Sequence, residues 1–220
     1  NSSGLPSPQH YSTARDIALL AKAIIREFPE YYSYYSIREF TWNKIRQPNR
    51  NGLLARDPSV DGVKTGHTET AGYCLVTSAK RQNTRLISVV LGTKSERARE
   101  DASAALLNYG YTFYETLNLK KRGDTVLSPR VYKASDDLVA VGPNADVSVT
   151  IPRGQSNAVT TNATLQRPLI APLSARTAVG ELQISVAGQV VQKVPLYPLV
   201  DVPEGGFFSR LYDSVALWFE

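Results

Sequence analysis

The 220-residue chain is predicted to have an α+β fold, in which mixed helices and strands are followed by a small all-β domain and a terminal helix. Two segments with helical spacing of apolar residues flank two short, almost continuous apolar runs. After about Leu117 this periodicity disappears, proline becomes frequent, and short alternating runs such as DVSVTI begin. We therefore predict domains at residues 1–116 and 117–203, with a helix at 204–220.

The two helical segments of the first domain are residues 12–28 and 95–115. In the first, Thr13 and Asp16 have the spacing of a capping box, and Pro29 is predicted to end the helix. Apolar side chains recur at helical spacing in both segments. They are Ile17, Leu20, Ala21, Ile24 and Phe28 in the first, and Ala98, Ala102, Ala105, Leu106, Tyr109 and Phe113 in the second.

Strands are predicted at 73–79 and 86–92, joined by the polar Arg81-Gln82-Asn83. Their nearly continuous apolar character indicates that both faces are covered. Residues 31–56 are predicted to be an aromatic, polar linking segment. In the second domain, ELQISVAGQVVQKVPL is predicted to form a hairpin that turns at 187–189, within a small β sandwich or barrel.

Composition limits the classes of function. The chain is 42% hydrophobic and 20% charged, and its formal net charge of +5 favours an anionic partner. Its Lys and Arg residues are scattered, which argues against nucleic acid as that partner.

The single Cys74 excludes an intrachain disulfide and is predicted to be a buried, inert thiol. No metal or cofactor site is predicted. The chain contains no methionine, so we expect a processed or incomplete chain.

The tripeptide Lys64-Thr65-Gly66 lies between an apolar run and a predicted strand. At a strand edge, the lysine ammonium can bind a carboxylate, and the threonine hydroxyl can add a directional hydrogen bond. Gly66 would leave the edge bare, so that a peptide could pair with it as an added strand. These residues therefore predict a docking edge for a peptide that ends in a carboxylate.

The surroundings of this tripeptide resemble a known superfamily. A K-T-G element is one of three motifs of serine β-lactamases and penicillin-binding proteins, beside S-x-x-K and S-D-N. DGVKTGHT, AGYCLVTSA and RLISVVLGT resemble the third, fourth and fifth strands of their sheet. NSSGLPSPQHYSTARDIALLAKAII, FTWNKIRQPNRNGLL and PEGGFF resemble low-molecular-weight D-alanyl-D-alanine carboxypeptidases. The similarity extends over essentially the whole chain.

This resemblance implies that residues 1–116 are part of a penicillin-recognising, transpeptidase-like domain with an antiparallel sheet. Lys64, Thr65 and Gly66 match the K-T-G element, and His67 is expected in the wall of the cleft. Arg50 corresponds to an arginine that reaches the substrate carboxylate, and Arg99 to another near that site. The nucleophilic serine and its lysine are not found, because no S-x-x-K or S-x-N occurs in the 220 residues.

The implied activity is removal of the terminal D-alanine from peptidoglycan pentapeptide stems through an acyl-enzyme, with β-lactams acylating the same serine. A β-lactamase, a DD-endopeptidase of the same superfamily and a non-catalytic wall-binding homologue remain as alternatives. The implied location is the periplasmic face of the bacterial inner membrane, as a peripheral protein. The sequence leaves open whether the protein forms a homodimer.

The last segment, GFFSRLYDSVALWFE, is predicted to be a strongly amphipathic helix. On the helical wheel the apolar residues form one wedge. Outside it lie Ser209, Arg210, Asp213, Ser214 and Glu220. Two interpretations compete: the apolar wedge docks on its own domain or on a partner helix, or it lies in the plane of a membrane surface as an anchor. The residues of the wedge are Phe207, Phe208, Leu211, Tyr212, Val215, Trp218 and Phe219.

Overall fold

A computed structural model describes residues 3–218, which divide into two compact units between Tyr114 and Glu115. The helices are α1 (Ala14–Glu27), α2 (Pro29–Tyr32), α3 (Leu53–Arg56), α4 (Glu96–Phe113) and α5 (Phe207–Ala216). The strands are β1 (Glu39–Trp42), β2 (Ile45–Pro48), β3 (Val60–Thr68), β4 (Gly72–Arg81), β5 (Thr84–Thr93), β6 (Tyr114–Lys120), β7 (Val141–Gly142), β8 (Val147–Pro152), β9 (Val159–Leu165), β10 (Gly180–Val186) and β11 (Gln189–Pro198). Two short 3₁₀ helices occur at Ser33–Ser36 and Ser156–Ala158.

Helix α1 begins at the predicted capping box. The Thr13 hydroxyl accepts a hydrogen bond from the backbone N–H of Asp16 at 3.1 Å, and the Asp16 carboxylate accepts one from the Thr13 backbone N–H at 3.1 Å. Pro29 marks the end of α1 but also opens α2, where its fixed φ suits the first helical position.

The core of the first unit is an antiparallel sheet in the order β3, β4, β5. Strands β4 and β5 are each longer than predicted, because their ends are polar and continue the pairing beyond the apolar runs. Leu75 and Ala79 of β4 pack with Leu107 of α4 and with Leu53 and Leu54 of α3. This buried cluster fixes α3 and α4 on one side of the sheet.

Helix α4 turns a different face to the sheet from the one with the predicted apolar spacing. Its buried side chains are those of Arg99, Ser103 and Leu107, whereas Tyr109 and Phe113 are more than half exposed. Periodicity identified the helix but not the side that is covered in this structure. The difference arises because the covered side includes the polar side chains of Arg99 and Ser103, which apolar spacing does not mark.

The prediction that residues 31–56 form only a linking segment is wrong, because these residues contain helices and strands. The segment holds the last two residues of α2, a 3₁₀ helix, the β1–β2 hairpin and α3. Every residue of β1 and β2 is exposed, so neither strand has the apolar alternation that reveals a half-buried strand. The hairpin turns at Asn43 and Lys44 with φ values of 49° and 63°, without the glycine that usually signals such a turn.

The second unit contains two sheets, and the larger one is antiparallel. One has four strands in the order β7, β11, β10, β9, and the other pairs β6 with β8. Val147, Val149 and Ile151 alternate inward along β8 and pack with Ile184 of β10, so a buried layer joins the sheets. The β10–β11 hairpin turns at the expected place, 187–188, where both residues have positive φ.

Helix α5 is shorter than the predicted segment 204–220. It begins at Phe207, because Glu204 lies in an isolated bridge to Ala134 and Gly206 is the N-cap with extended backbone. The apolar wedge is exposed from Phe207 to Trp218, and Phe219 lies outside the described residues. Docking of this wedge on its own domain is therefore wrong for residues 207–218. In that described range and upstream of it, no helix has both the length and the apolar character needed to cross a bilayer.

Candidate functional site

A cavity of about 830 Å³ in the first unit is lined by all six substrate-binding residues predicted from the sequence. Its walls come from the segment before α1, the edge strand β3 and the loop that follows it, the start of β4, the start of α4, and the loop before α3. The lining residues are Ser3, Gly4, His10, Arg50, Lys64, Thr65, Gly66, His67, Thr68, Ala71, Tyr73, Cys74, Glu96 and Arg99.

The tripeptide 64–66 lies on an edge strand. Strand β3 pairs with β4 on one side, and within residues 3–218 no strand pairs with its other side. The Lys64 side chain is exposed, and its Nζ donates a hydrogen bond to the Thr65 carbonyl oxygen at 2.6 Å. The cavity therefore presents the Lys64 ammonium group, on its flexible side chain, beside the unpaired backbone N–H and C=O groups of β3. An added peptide strand could pair with those groups.

Arg50 is exposed at the cavity and is held in place through its neighbours. Asn51 is buried and its amide Nδ2 donates to the Gly62 carbonyl oxygen of β3 at 3.2 Å. The Gly52 backbone N–H donates to the Glu100 carboxylate of α4 at 3.2 Å. These bonds connect the loop of Arg50 to both β3 and α4, so the arginine projects from a fixed base.

Arg99 lines the cavity from a more buried position than the other cations. Its side chain is 2% exposed, and Nη2 donates to the Arg50 carbonyl oxygen and to Glu96 Oε1, each at 3.2 Å. Its Nε has no hydrogen-bond partner among the described residues. The geometry thus gives Arg99 a definite part in holding the Arg50 backbone, and leaves one buried donor at the cavity wall.

His67 stacks on Tyr73, with ring centroids 4.0 Å apart and an interplanar angle of 30°. These two residues are directly opposite in the β3–β4 register, which brings their rings together. The same Tyr73 ring lies 5.6 Å from the Arg99 guanidinium carbon. Sequence reasoning missed Tyr73 and His10 as lining residues, because neither lies in a motif and only the fold brings them to the cavity.

Cys74 does not occupy the buried position predicted for it. It is a free thiol of intermediate exposure that lines the cavity. Its strand partner is Gly66, and a Cβ at Gly66 would be 3.9 Å from the Cys74 Cβ. The apolar run GYCLV suggested burial, but the bare glycine opposite leaves the thiol uncovered.

The cavity is electropositive. Among its described lining residues, Arg50, Lys64 and Arg99 are cationic, and Glu96 is a carboxylate paired with Arg99. Such a cleft attracts anions and discriminates against cationic ligands. A carboxylate is therefore the ligand chemistry that fits the cavity best.

A network at the base of β3 fixes the strand just before Lys64. Asp61 is the extra residue at a register shift between Val60 and Gly62. Arg85 donates to both Asp61 carboxylate oxygens at 2.8 and 2.7 Å, and the Tyr32 hydroxyl donates to Oδ1 at 2.6 Å. Arg85 Nη1 also donates to the Ser78 hydroxyl at 2.7 Å. The network connects α2 to β3, β4 and β5.

The electrostatics of Asp61 follow from these contacts. Burial raises the pKa of the Asp61 carboxyl, but hydrogen bonds from Arg85 and Tyr32, with the charge of Arg85, outweigh this and hold the pKa below its ordinary value. Burial, with the hydrogen bond to Asp61, raises the pKa of the Tyr32 phenol. Asp61 is therefore ionised and Tyr32 is neutral at pH 7.

Replacing Asp61 by alanine should destabilise the first unit by roughly 2 to 3 kcal/mol, because it leaves Arg85 without its bidentate partner. The side chains are about one third exposed, which reduces the effect below that of a fully buried pair. Because the folded-state pKa of Asp61 is lowered, its stabilisation is complete above pH about 4 and is lost as the pH falls through the folded-state value.

Scanning calorimetry at several pH values measures this effect. The control is Asp101→Ala, which removes an exposed carboxylate that pairs with Arg56 and Arg97 and should change the unfolding temperature much less. An Asp61→Ala protein as stable as wild type at pH 7 would contradict the role assigned to this network.

Two family models match the chain. The model described as D-alanyl-D-alanine carboxypeptidase matches residues 1–95, and the model of the penicillin-binding protein 5 C-terminal domain matches residues 114–204. The chain is 45% identical to the D-alanyl-D-alanine carboxypeptidase DacC of Escherichia coli over 218 residues, and 42% identical to DacA of the same species. Each alignment covers 98% of this chain and 54% of the relative.

A solved structure supports the same relationship. Penicillin-binding protein 5 from Haemophilus influenzae superimposes with a TM-score of 0.77 at 41% identity, over 91% of this chain and 59% of that one. The chain thus spans about half the length of the relatives that it matches. Each of its two units is matched in part by one family model.

Proposed function

Because this chain belongs to the family of low-molecular-weight D-alanyl-D-alanine carboxypeptidases, we propose that its protein removes the terminal D-alanine from peptidoglycan pentapeptide stems. The observation that carries this proposal is the convergence of Lys64, Thr65 and Arg50 on one electropositive cavity beside the open edge of β3. That arrangement fits an extended peptide with a free carboxylate at its end.

The proposed reaction is acyl transfer in two steps. A serine hydroxyl attacks the carbonyl carbon of the D-Ala-D-Ala amide, D-alanine leaves with a proton on its nitrogen, and water then hydrolyses the resulting ester. The serine and lysine of S-x-x-K do not occur in these 220 residues. A β-lactam, which carries a carboxylate and a strained amide, would occupy the same cavity and acylate the same serine.

The residues of this chain act on the substrate by binding and orienting it. Lys64 and Arg50 neutralise the terminal carboxylate, and the Thr65 hydroxyl donates a directional hydrogen bond to it. The open edge of β3 pairs with the peptide backbone, and the bare Gly66 allows close approach. Arg99 positions Arg50 through its carbonyl oxygen, so it contributes through the geometry of the carboxylate site.

Arg50→Ala tests this assignment in the catalytically complete protein. Loss of a charge-assisted hydrogen bond to the carboxylate should reduce transition-state stabilisation by about 1.5 to 3 kcal/mol. This corresponds to a decrease of roughly 10- to 150-fold in kcat/KM for a D-Ala-D-Ala peptide. The melting temperature should change little, because the Arg50 side chain is exposed. Release of D-alanine is the assay.

The matched control is Arg97→Ala, which removes an exposed arginine of α4 outside the described lining of the cavity. Equal losses of activity and stability in Arg50→Ala would mark Arg50 as structural.

We also propose that the protein is peripheral to the periplasmic face of the bacterial inner membrane, bound through α5. The apolar wedge of α5 is exposed, with Phe208 at 83% and Trp218 at 89%. Aromatic side chains are well suited to the boundary between headgroups and acyl chains, and a helix of this length lies in the interface. The polar side of α5 is not basic, so anionic lipids should contribute little.

Deleting residues 207–220 should abolish sedimentation with phosphatidylcholine vesicles and leave catalytic activity unchanged. A less drastic variant, Phe208→Ser with Tyr212→Ser, should lower the bound fraction at least about tenfold, since it removes two large apolar groups from the wedge. The control is Val190→Ser with Val191→Ser, which removes exposed apolar residues of β11 away from the helix. Undiminished vesicle binding after the deletion would refute the anchor.

A further inference from the structure

The polar side of α5 is bound to the second unit by a buried carboxylate. The Asp213 side chain is only 3% exposed, and its two oxygens accept hydrogen bonds from Arg130 Nη2 at 2.9 Å and from the Lys133 backbone N–H at 2.5 Å. Burial of a carboxylate is unfavourable unless its oxygens are paired, as they are here. The two donors therefore specify where this turn of the helix lies.

The residues just before α5 are bound to the same segment. Gly205 donates its backbone N–H to the Lys133 carbonyl oxygen at 2.8 Å, and Glu204 forms an isolated bridge with Ala134. A Cβ at Gly205 would be 2.4 Å from the Ala134 carbonyl oxygen, so this close approach requires glycine. The entry to the helix and its second turn are thus both bound to residues 133–134.

This attachment determines the direction of the apolar wedge. An amphipathic helix of a globular domain ordinarily packs its apolar side inward. In α5 and the turn that follows it the arrangement is reversed, because Asp213 faces the unit and six wedge residues are 55 to 89% exposed. The wedge residues within the described range are Phe207, Phe208, Leu211, Tyr212, Val215 and Trp218.

We propose that Asp213 is a latch that holds α5 at a fixed angle to the second unit, so that a lipid surface meets a preformed apolar face. This proposal rests on the proposed membrane anchor and adds that the anchor is rigidly attached. The occupant of the face is the headgroup and acyl-chain boundary of a bilayer. Its composition favours that occupant, since the described part of the wedge carries two Phe, one Tyr and one Trp and contains no charged residue.

The test measures the distance between α5 and the β sheet with a pair of spin labels. The labels are attached through Gln192→Cys and Ser214→Cys in a Cys74→Ser background, free in solution and on phosphatidylcholine vesicles. With Asp213 intact, the distribution of label distances should be narrow in both states. Asp213→Ala should at least double its width, and Arg130→Ala, which removes one of the two donors, should have an intermediate effect.

The matched control is Asp201→Ala, which removes a carboxylate that accepts a backbone N–H in the same unit. Its distance distribution should stay as narrow as wild type. Circular dichroism and the melting temperature verify that each variant is folded. If Asp213→Ala unfolds the unit, Arg130→Ala provides the comparison.

The outcomes separate the latch from the anchor. Equal widths in wild type and in both latch variants, whether narrow or broad, would overturn the latch. A narrow distribution that widens only in the latch variants supports it. If the latch is seen in solution but wild type fails to bind vesicles, the membrane anchor is refuted and the lipid role of the latch is refuted with it.

Discussion

A fluorescent penicillin should leave no covalent label on the 220-residue chain after denaturing electrophoresis. Covalent capture requires a serine held near a base, and no serine here has a lysine three residues later. The cavity can at most hold the antibiotic reversibly through its carboxylate.

The labelling experiment has an internal contrast. Joining or co-expressing a segment that carries S-x-x-K and S-x-N should restore the label, and mass spectrometry should locate it on a serine of that segment. The Cys74→Ser variant serves as a control, because this partly buried free thiol lines the cavity and is itself a nucleophile. A labelled serine within residues 1–220 would contradict the division of roles proposed above.

Lys64→Ala in the catalytically complete protein should raise the activation free energy of acylation by penicillin by about 2 to 4 kcal/mol. The acylation rate should therefore fall roughly 30- to 1000-fold. Lys64 is the cation of the open strand edge, so its charge acts directly on the ligand carboxylate. Stopped-flow or gel-based acylation rates measure the effect. Lys64→Arg should recover part of the rate, because it retains the charge but changes the geometry of the donors.

The control for this substitution is Lys80→Ala, which removes an exposed lysine of β4 outside the described lining of the cavity. That variant should acylate at the wild-type rate. Both alanine variants should have similar melting temperatures, since neither lysine is buried. Acylation of Lys64→Ala at nearly the wild-type rate would exclude this lysine as a carboxylate ligand.

Local rules predicted the parts of the fold whose causes are local. The capping box at Thr13, the hairpin turn at 187–188 and the strands around Leu75 each depend on residues close in sequence. The β1–β2 hairpin was not predicted, because every residue of its strands is exposed and its turn lacks glycine. Patterns of burial cannot reveal a strand that buries nothing.

The candidate site shows a similar division. The residues around Lys64 and Arg50 were predicted through a motif and a family resemblance, whereas Tyr73 reaches the cavity only through strand register. The exposure of Cys74 depends on the glycine opposite it, a relation between strands that composition does not carry. Likewise, the amphipathic wheel predicted the wedge of α5, but its outward direction depends on Arg130 and Lys133, about eighty residues upstream.

The open edge of β3 has a second consequence, which concerns self-association. An unpaired strand edge is a template on which another copy can add its own edge, and such contacts lead to aggregation. Lysine near the middle of an edge opposes this, because pairing two copies would bring like charges together and desolvate them. Lys64 therefore opposes edge-to-edge pairing of two copies. The ammonium group that we propose as a ligand for an anionic peptide would thus also limit self-association when no peptide is bound.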